Sequence, residues 1–310
     1  VEDLPGKIPI FILAGQDPLQ SRDPEYLPSS EIISGNKGLI PLPTGVCLAQ
    51  ELILRLRKSG CFYDPILIGP AEDYRKKIDC KLVDCHGSLK HTLNTLVEII
   101  RKRLDPEKPL AIITYDILPT VDEITALIRD SYLPEAECIF WGQLINSSPE
   151  QMGAGHWKPF YRLRISKNGP SHHFYPGHLL IIRPCGLRIR ELIYLMDLVY
   201  RFRNGNLGIR GVQMSLRGLG YFLYRDLANL FSGKPSLLLY SFLINSLIAY
   251  FKLIIGSITV HEFESSMKTG FVRHAFQSHH CNRPLVMSQI KTKSFAKDID
   301  TRSELLEATD

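Results

Sequence analysis

Unbroken apolar runs alternate with helically spaced apolar positions through the first half of the chain. "IPIFILAG" (8–15) is a short apolar run closed by glycine, the profile of a buried parallel strand that enters a loop. A polar, proline-rich loop follows to about residue 45. From Cys47 to Lys58 the positions Leu48, Leu52, Ile53 and Leu56 recur at helical spacing, and Gly60 supplies a stop. "DPILIGP" (64–70), "KLVDC" (81–85), "PLAIITYD" (109–116) and "ECIFWGQLI" (137–145) predict further strands. Between them, 73–77, Leu89–Arg103 and 121–130 predict helices; the second carries Leu93, Leu96, Val97 and Ile100 on its apolar face. Strands alternating with helices at this spacing predict an α/β fold, a mostly parallel sheet with helices on both faces. Ligands of such sheets collect outside the carboxyl ends of the strands, which directs attention to Gly15 and Asp116.

The pattern changes after residue 145. "HFYPGHLLIIRP" (173–184) reads as one strand, residues 187–256 as mostly helical, and a final strand and helix close the chain. The expected organisation is an α/β domain over 1–184 and 257–310, with a helical insertion at 185–256. Near the end, Asp298 and Asp300 flank Ile299, and in an extended segment both carboxylates would face one side with the isoleucine facing the other. Thr301 and Glu304 have the S/T-x-x-E spacing of a capping box, so the stretch reads as strand, acidic pair, helix.

Length and charge narrow the class. A chain of 310 residues with 45% hydrophobic residues can bury a substantial core and is globular. Its net charge of +5 is unevenly spread: Lys158 to Lys234 holds 13 Lys and Arg against three acids, +10, leaving −5 for the rest. That segment should attract anions, whether phosphorylated substrates, a membrane surface or nucleic acid. Its aromatics ("FYRLR", "YRFRN", "YFLYRD") are read as core residues behind a solvated basic face, since no nucleic-acid-binding signature accompanies them. Seven scattered cysteines and no leader pattern predict a reducing, cytoplasmic setting. Neither "SHHCNRP" with His274 nor Cys80, Cys85 and His86 has paired zinc-ligand spacing. Residues 237–255 are nearly long enough to span a bilayer, yet Ser241, Asn245 and Lys252 fall on one helical face. The segment is read as a buried helix with a polar stripe, with peripheral membrane contact as the alternative.

Four motifs in order give the chain a resemblance to a family. "FILAG" before a loop, "NKGLIPL", "AIITYDILPT" and "DIDTRSELLEA" resemble the opening strand and loop, the lysine segment, the strand ending in a metal-binding aspartate, and the acidic ending of GT-A-type, Rossmann-like NTP transferases. That broad group includes molybdenum-cofactor guanylyltransferases and sugar-phosphate nucleotidyltransferases. "YPGHLLIIRP" is similar to a fifth landmark, the strand start that lines the acceptor pocket, with His178 where the family has asparagine. The resemblance covers about residues 6–145 and 285–310. It implies a magnesium-dependent nucleotidyltransferase that joins the monophosphate part of a nucleoside triphosphate to an anionic, phosphorylated small molecule and releases pyrophosphate. It assigns magnesium to Asp116 and Asp300, with Asp298 as second ligand or behind them. Lys37 and Arg22 would meet phosphate; Ala14, Gly15, Gly87 and Ser88 would bind the nucleotide; Gly177, His178 and Arg183 would line the acceptor pocket. Magnesium suits such a pair, because it prefers hard oxygens and needs only one or two carboxylates besides phosphate oxygens.

The glycine-rich loop departs from the family pattern. Here it reads "LAGQDPLQSRD", without a second or third glycine and with Asp17 where phosphate should lie. Two other readings therefore stay open: a glycosyltransferase of the same fold that uses a finished nucleotide-sugar, and a noncatalytic nucleotide-binding or membrane-peripheral relative. Base, acceptor and oligomeric state are not encoded in any motif of the chain.

Overall fold

The computed structural model describes residues 6–15, 36–152, 160–202, 207–233, 248–249, 251–253, 255–277 and 283–309, with backbone alone at 199–202 and 207–215. Two compact units emerge: one made of Val1–Tyr161, His173–Cys185 and Val286–Asp310, the other of Arg162–His172 and Gly186–Leu285. Arg22 and the rest of the loop 16–35 lie outside the described residues, as does most of 237–255.

The first unit is a mixed α/β layer built on a central sheet. Its strands are β1 (Ile10–Leu13), β2 (Ile66–Gly69), β3 (Lys81–Asp84), β4 (Leu110–Thr114), β5 (Phe140–Asn146), β7 (Ser171–Pro176), β8 (Leu179–Ile182) and β9 (Leu285–Ile290). The order runs β3-β2-β1-β4-β8-β5, with β7 and β9 also paired to β5. β1, β2, β3 and β4 are mutually parallel, and β8 is antiparallel to both β4 and β5. Ile10, Phe11 and Ile12 of β1 are at most 1% exposed, as a central strand covered on both faces requires. Helices α1 (Leu48–Lys58), α2 (Ala71–Tyr74), α3 (Leu89–Arg103) and α4 (Val121–Ala126) fall in the intervals between parallel strands. On α1 the buried positions are Leu48, Ala49, Leu52, Ile53 and Leu56, the face that the sequence spacing marks.

Three elements differ from expectation. The helix expected over 121–130 ends at Ala126 and continues as a wider π turn over Leu127–Tyr132, which seats Tyr132 edge-on against Trp141. The acidic segment 297–300 is not a strand; it follows a 3-10 turn at Lys293–Phe295 and leads into the helix Arg302–Thr309. The strand expected over 173–184 is β7 followed by β8 along one edge of β5. Leu144 faces Pro176 and Trp141 faces Ile181, so four residues of one strand span two of the other. Two extra residues are thus accommodated as a bulge around Gly177–His178, where a strand re-aims a side chain. Gly177 donates its N–H to the Gln143 carbonyl at 3.0 Å, and a Cβ on it would overlap the Gln143 side chain.

The second unit holds β6 (Tyr161–Arg164), α5 (Ile189–Phe202), α6 (Leu207–Phe231) and a helix at Val260–Phe271. Thr259 and Glu262 close the start of that last helix as a capping box. Buried acids here are compensated by arginine: Glu191 accepts from Arg225 and Glu264 from Arg283, each at 3.0 Å. Tyr194 stacks on Tyr221 with ring centroids 3.8 Å apart. The reading of the aromatics as core residues holds for Phe222, 3% exposed, and fails for Phe160 and Tyr224, which are 39% and 68% exposed. Helical periodicity separates two faces without saying which one the core takes. No helix among the described residues is long and apolar enough to cross a membrane.

Candidate active site

β1 and β4 are neighbours although β2 and β3 lie between them in the chain, so the strand order reverses at this pair. A crevice opens outside the carboxyl ends at such a switch point. Ala14 and Gly15 follow β1 there, and Asp116 follows β4. Gly15 has no room for a side chain: a Cβ would collide with the Thr92 hydroxyl of α3 and lie 3.7 Å from the Gly87 carbonyl. Gly87 has φ +104, a backbone setting that glycine tolerates and other residues do not. Ser88 occupies the cap position of α3, its Oγ 3.1 Å from His91 Nδ1. Ala14, Gly15, Gly87 and Ser88 therefore share the rim where the end of β1 meets the start of α3.

Lys37 begins a 3-10 turn, Lys37–Leu39, that is locked from both sides. Gly38 is buried against Tyr74 and Tyr115, and a Cβ would lie 2.5 Å from the Tyr74 hydroxyl. Tyr74, fully buried, donates to Asn36 Oδ1 at 2.6 Å, and Asn36 Nδ2 donates to Asp73 Oδ2 at 3.3 Å. Burial pushes the Tyr74 hydroxyl pKa well up, so it stays a donor. Asn36–Gly38 is thus an anchored set of contacts with one ammonium projecting from it.

That ammonium forms an ion pair with Asp300. Burial by itself would lower the Lys37 pKa, but the charge and hydrogen bond of Asp300, with the charges of Asp116 and Asp298 behind them, outweigh it and raise the value above 10.5. The doublet is pinned between them. Ile299 is 2% exposed in the core, and its N–H donates to the Asp116 carbonyl at 2.8 Å. Its burial holds the two flanking acids at the end of β4. Behind them, Thr301 and Glu304 form the capping box expected from their spacing: Glu304 N–H reaches Thr301 Oγ1 at 3.2 Å, and Glu304 Oε2 accepts from the Thr301 and Asp300 N–H groups at 3.1 and 3.0 Å.

His178 completes the cluster. The bulge after β7 aims its ring between the acids, with Nε2 2.8 Å from Asp298 Oδ1 and Nδ1 3.9 Å from Asp116 Oδ1. Thr114 Oγ1 lies 2.8 Å from Nδ1, and the His178 N–H donates to the Phe295 carbonyl at 2.7 Å. Thr114 and Asp298 thus hold the ring from its two nitrogens. Asp116 Oδ1 is buried without a hydrogen-bond partner. The side chains of Asp116, Asp298 and Asp300 are 22%, 20% and 11% exposed, so the cluster is shielded and still reachable.

The expected residues thus separate. Lys37, Asp116, His178, Asp298 and Asp300 form one cluster, and Ala14, Gly15, Gly87 and Ser88 line the rim beyond β1 and β3. Arg183 does not join them: it follows the far end of β8, where its guanidinium donates to the Glu107 and Ala136 carbonyls at 2.7 and 2.8 Å. Gly177 packs on Gln143 and shapes the bulge. Tyr74 and Thr92 lie outside every motif, while Asn36 and Thr114 lie inside "NKGLIPL" and "AIITYDILPT" without a role of their own there. Among the described residues, no group of three or more His, Cys, Asp or Glu is arranged to hold a metal ion. Cys80 illustrates the point, since burial pushes its thiol up to about 11 and away from the thiolate that a metal needs.

No protein-family description matches the chain, and no curated protein sequence does. Similar solved structures include a CMP:2-keto-3-deoxy-manno-octonic acid synthetase complexed with CTP, at 10% identity and a TM-score of 0.43, over 74% of this chain and 87% of that one. Another is the bifunctional IspDF from Campylobacter jejuni, at 10% identity and a TM-score of 0.36, over 69% of this chain. The match spans about half, 48%, of that longer protein. Likenesses of that size carry no functional information.

Proposed function

We propose that the protein is a magnesium-dependent nucleotidyltransferase. In the reaction, an oxygen of a phosphorylated small molecule bonds to the α-phosphorus of a nucleoside triphosphate while the α–β bridging P–O bond breaks and pyrophosphate leaves. The observation that carries the reading is the gathering of Asp116, Asp298 and Asp300 around the Lys37 ammonium at the strand-order reversal. The motifs shared with the NTP transferases supply the reaction class.

The charge balance explains why a cation is needed. Three carboxylates against one ammonium leave a net negative site, with the His178 imidazole in either protonation state, and that site repels a triphosphate. One magnesium ion cancels that excess and removes the repulsion. The residues fit one: the ion needs one or two carboxylates and takes the rest from water and phosphate. Asp116 supplies the oxygen that has no hydrogen-bond partner, and Asp300 is the second ligand assigned by the ending motif. Bound there, the ion would offset charge on the reacting phosphates. Lys37 then exchanges Asp300 for phosphate as a mobile point charge. His178, held by Thr114 and facing Asp298, orients that carboxylate. The rim at Gly15 and Gly87 lets backbone N–H groups approach the nucleotide closely.

The test is a thermal-shift panel of the four common ribonucleoside triphosphates with and without magnesium. At a ligand concentration a hundredfold above Kd, binding to the folded state adds about 2.7 kcal/mol. A rise is expected with at least one triphosphate, only with magnesium present, and Asp116→Ala should abolish it. Flat melting curves for all four would remove the proposal.

A further inference from the structure

The apolar side of α6 faces outward. Leu216, Leu223, Leu227 and Leu230 are 46–64% exposed, and Tyr224 and Phe231 beside them 68% and 88%. Their spacing of three, four and seven residues makes one continuous stripe along the helix. The opposite side is where the packing lies: Tyr221 stacks on Tyr194, Phe222 is buried, and Arg225 holds Glu191. A helix normally turns its leucines to the core, and a contiguous exposed apolar stripe marks an interaction surface. Ile248, Phe251 and Ile255 of the same unit are also 53–73% exposed.

Charge identifies what fits against the α6 stripe. Arg162–His172 and Gly186–Leu285, the stretches of the second unit, carry fifteen Lys and Arg against five Asp and Glu, +10, and the remainder of the chain carries −5. Among the described residues of α6, the one charged side chain classed as exposed is Arg217. We propose that the outward face of α6 seats on an anionic lipid surface, leucines entering the acyl boundary while Arg217 and the net positive charge of the unit favour the headgroups. An amphipathic helix with an apolar face and a basic setting adsorbs in this way. A second copy of the chain fits poorly, because face-to-face pairing would bring two +10 units together. A single acidic groove on a protein fits less well than a plane, because the basic residues are spread along the unit's sequence from Arg162 to Arg283 rather than gathered in one short segment.

Flotation of the full chain with vesicles tests the proposal. Phosphatidylcholine vesicles are compared with vesicles that also contain about 30% phosphatidylglycerol, at about 50 mM and about 500 mM salt, where the Debye length falls from ~14 Å to ~4 Å. The protein should partition onto the anionic vesicles at low salt, with partition at least about tenfold lower on neutral vesicles or at high salt. A Leu223→Ser and Leu227→Ser double variant should lose about tenfold on anionic vesicles. Both side chains are about half exposed, so its circular dichroism and Tm should match the parent. Free glycerol phosphate at 10 mM should leave the partition unchanged, which separates a lipid plane from a soluble phosphate ligand. Equal partition onto neutral and anionic vesicles would overturn the proposal. So would no partition onto either, displacement by glycerol phosphate, or a dimer by light scattering that the double variant dissociates.

Discussion

Lys37→Met isolates the energetics of the cluster. The substitution keeps the length of the side chain and removes its charge, leaving Asp300, 11% exposed, beside Asp116 and Asp298 without its ammonium. Breaking a fully buried pair from one side costs about 3–5 kcal/mol and an exposed pair about 0–1. Lys37 is 25% exposed, so about 2 kcal/mol is expected at neutral pH, between those bounds. Removing both charges, with Asp300→Asn added, leaves no orphan carboxylate and should return the loss to within about 1 kcal/mol of the parent. The pH dependence follows from the raised Lys37 value. A group that binds its proton more tightly when folded stabilises fully below its unfolded value, 10.5, and loses that contribution as pH climbs through the folded one. The gap between parent and Lys37→Met should therefore be constant from pH 7 to about 10 and close above it. Urea unfolding followed by Trp141, fully buried in this unit, in a Trp157→Phe background reads the unit selectively. A Lys37→Met protein within about 0.5 kcal/mol of the parent at pH 8, or a double variant no better than the single one, would refute the cluster as an energetic unit.

Three further outcomes check separate parts of the structure. Gly15→Ala should destabilise by about 1–3 kcal/mol through overlap with the Thr92 hydroxyl, and adding Thr92→Ala should recover most of it in the same urea assay. Thr301→Ala removes the cap of the last helix and should cost about 1 kcal/mol, with hydrogen exchange accelerated at Glu304. Glu262 has its pKa pulled down to about 2, chiefly by Lys252 and then by the Thr259 N–H, so its contribution is present above pH 4.5 and lost as pH falls toward 2. Because that carboxylate is 37% exposed, screening limits the effect to at most about 1 kcal/mol, and Glu262→Gln should converge on the parent as pH falls from 4.5 toward 2 in thermal melts.

The parts of the fold legible in sequence were those whose signal is local. β1 and β4 are unbroken apolar runs because both faces of a central strand are covered, and α1 shows its buried face as spacing. The capping box at Thr301 and Glu304 and the inward turn of Ile299 also follow from short-range chemistry. What stayed hidden depends on partners far along the chain. Asn36 is an ordinary polar residue until Tyr74, thirty-eight positions away, supplies its donor. The outward leucines of α6 were invisible for another reason: their period is that of any amphipathic helix, and only the buried Tyr194–Tyr221 side reveals which face the core took.

His178 is the clearest case of register deciding chemistry. In a strand parallel to β4, a residue just before the strand would sit at the opposite end of the sheet from Asp116. β8 runs the other way, pairing Leu179 with Ile113 and Ile182 with Leu110, so its start lies beside the end of β4. The same reversal carries Arg183, five residues later, to the far end, where backbone carbonyls take it up. Direction alone is not sufficient, because adjacent residues of a strand point to opposite faces. The two extra residues of the bulge set which side chain meets the acids, and Gly177 is what lets the backbone press against Gln143 there. A motif comparison aligns the letters of "YPGHLL" with an acceptor pocket; the strand direction and the slip are what turn the histidine between two aspartates.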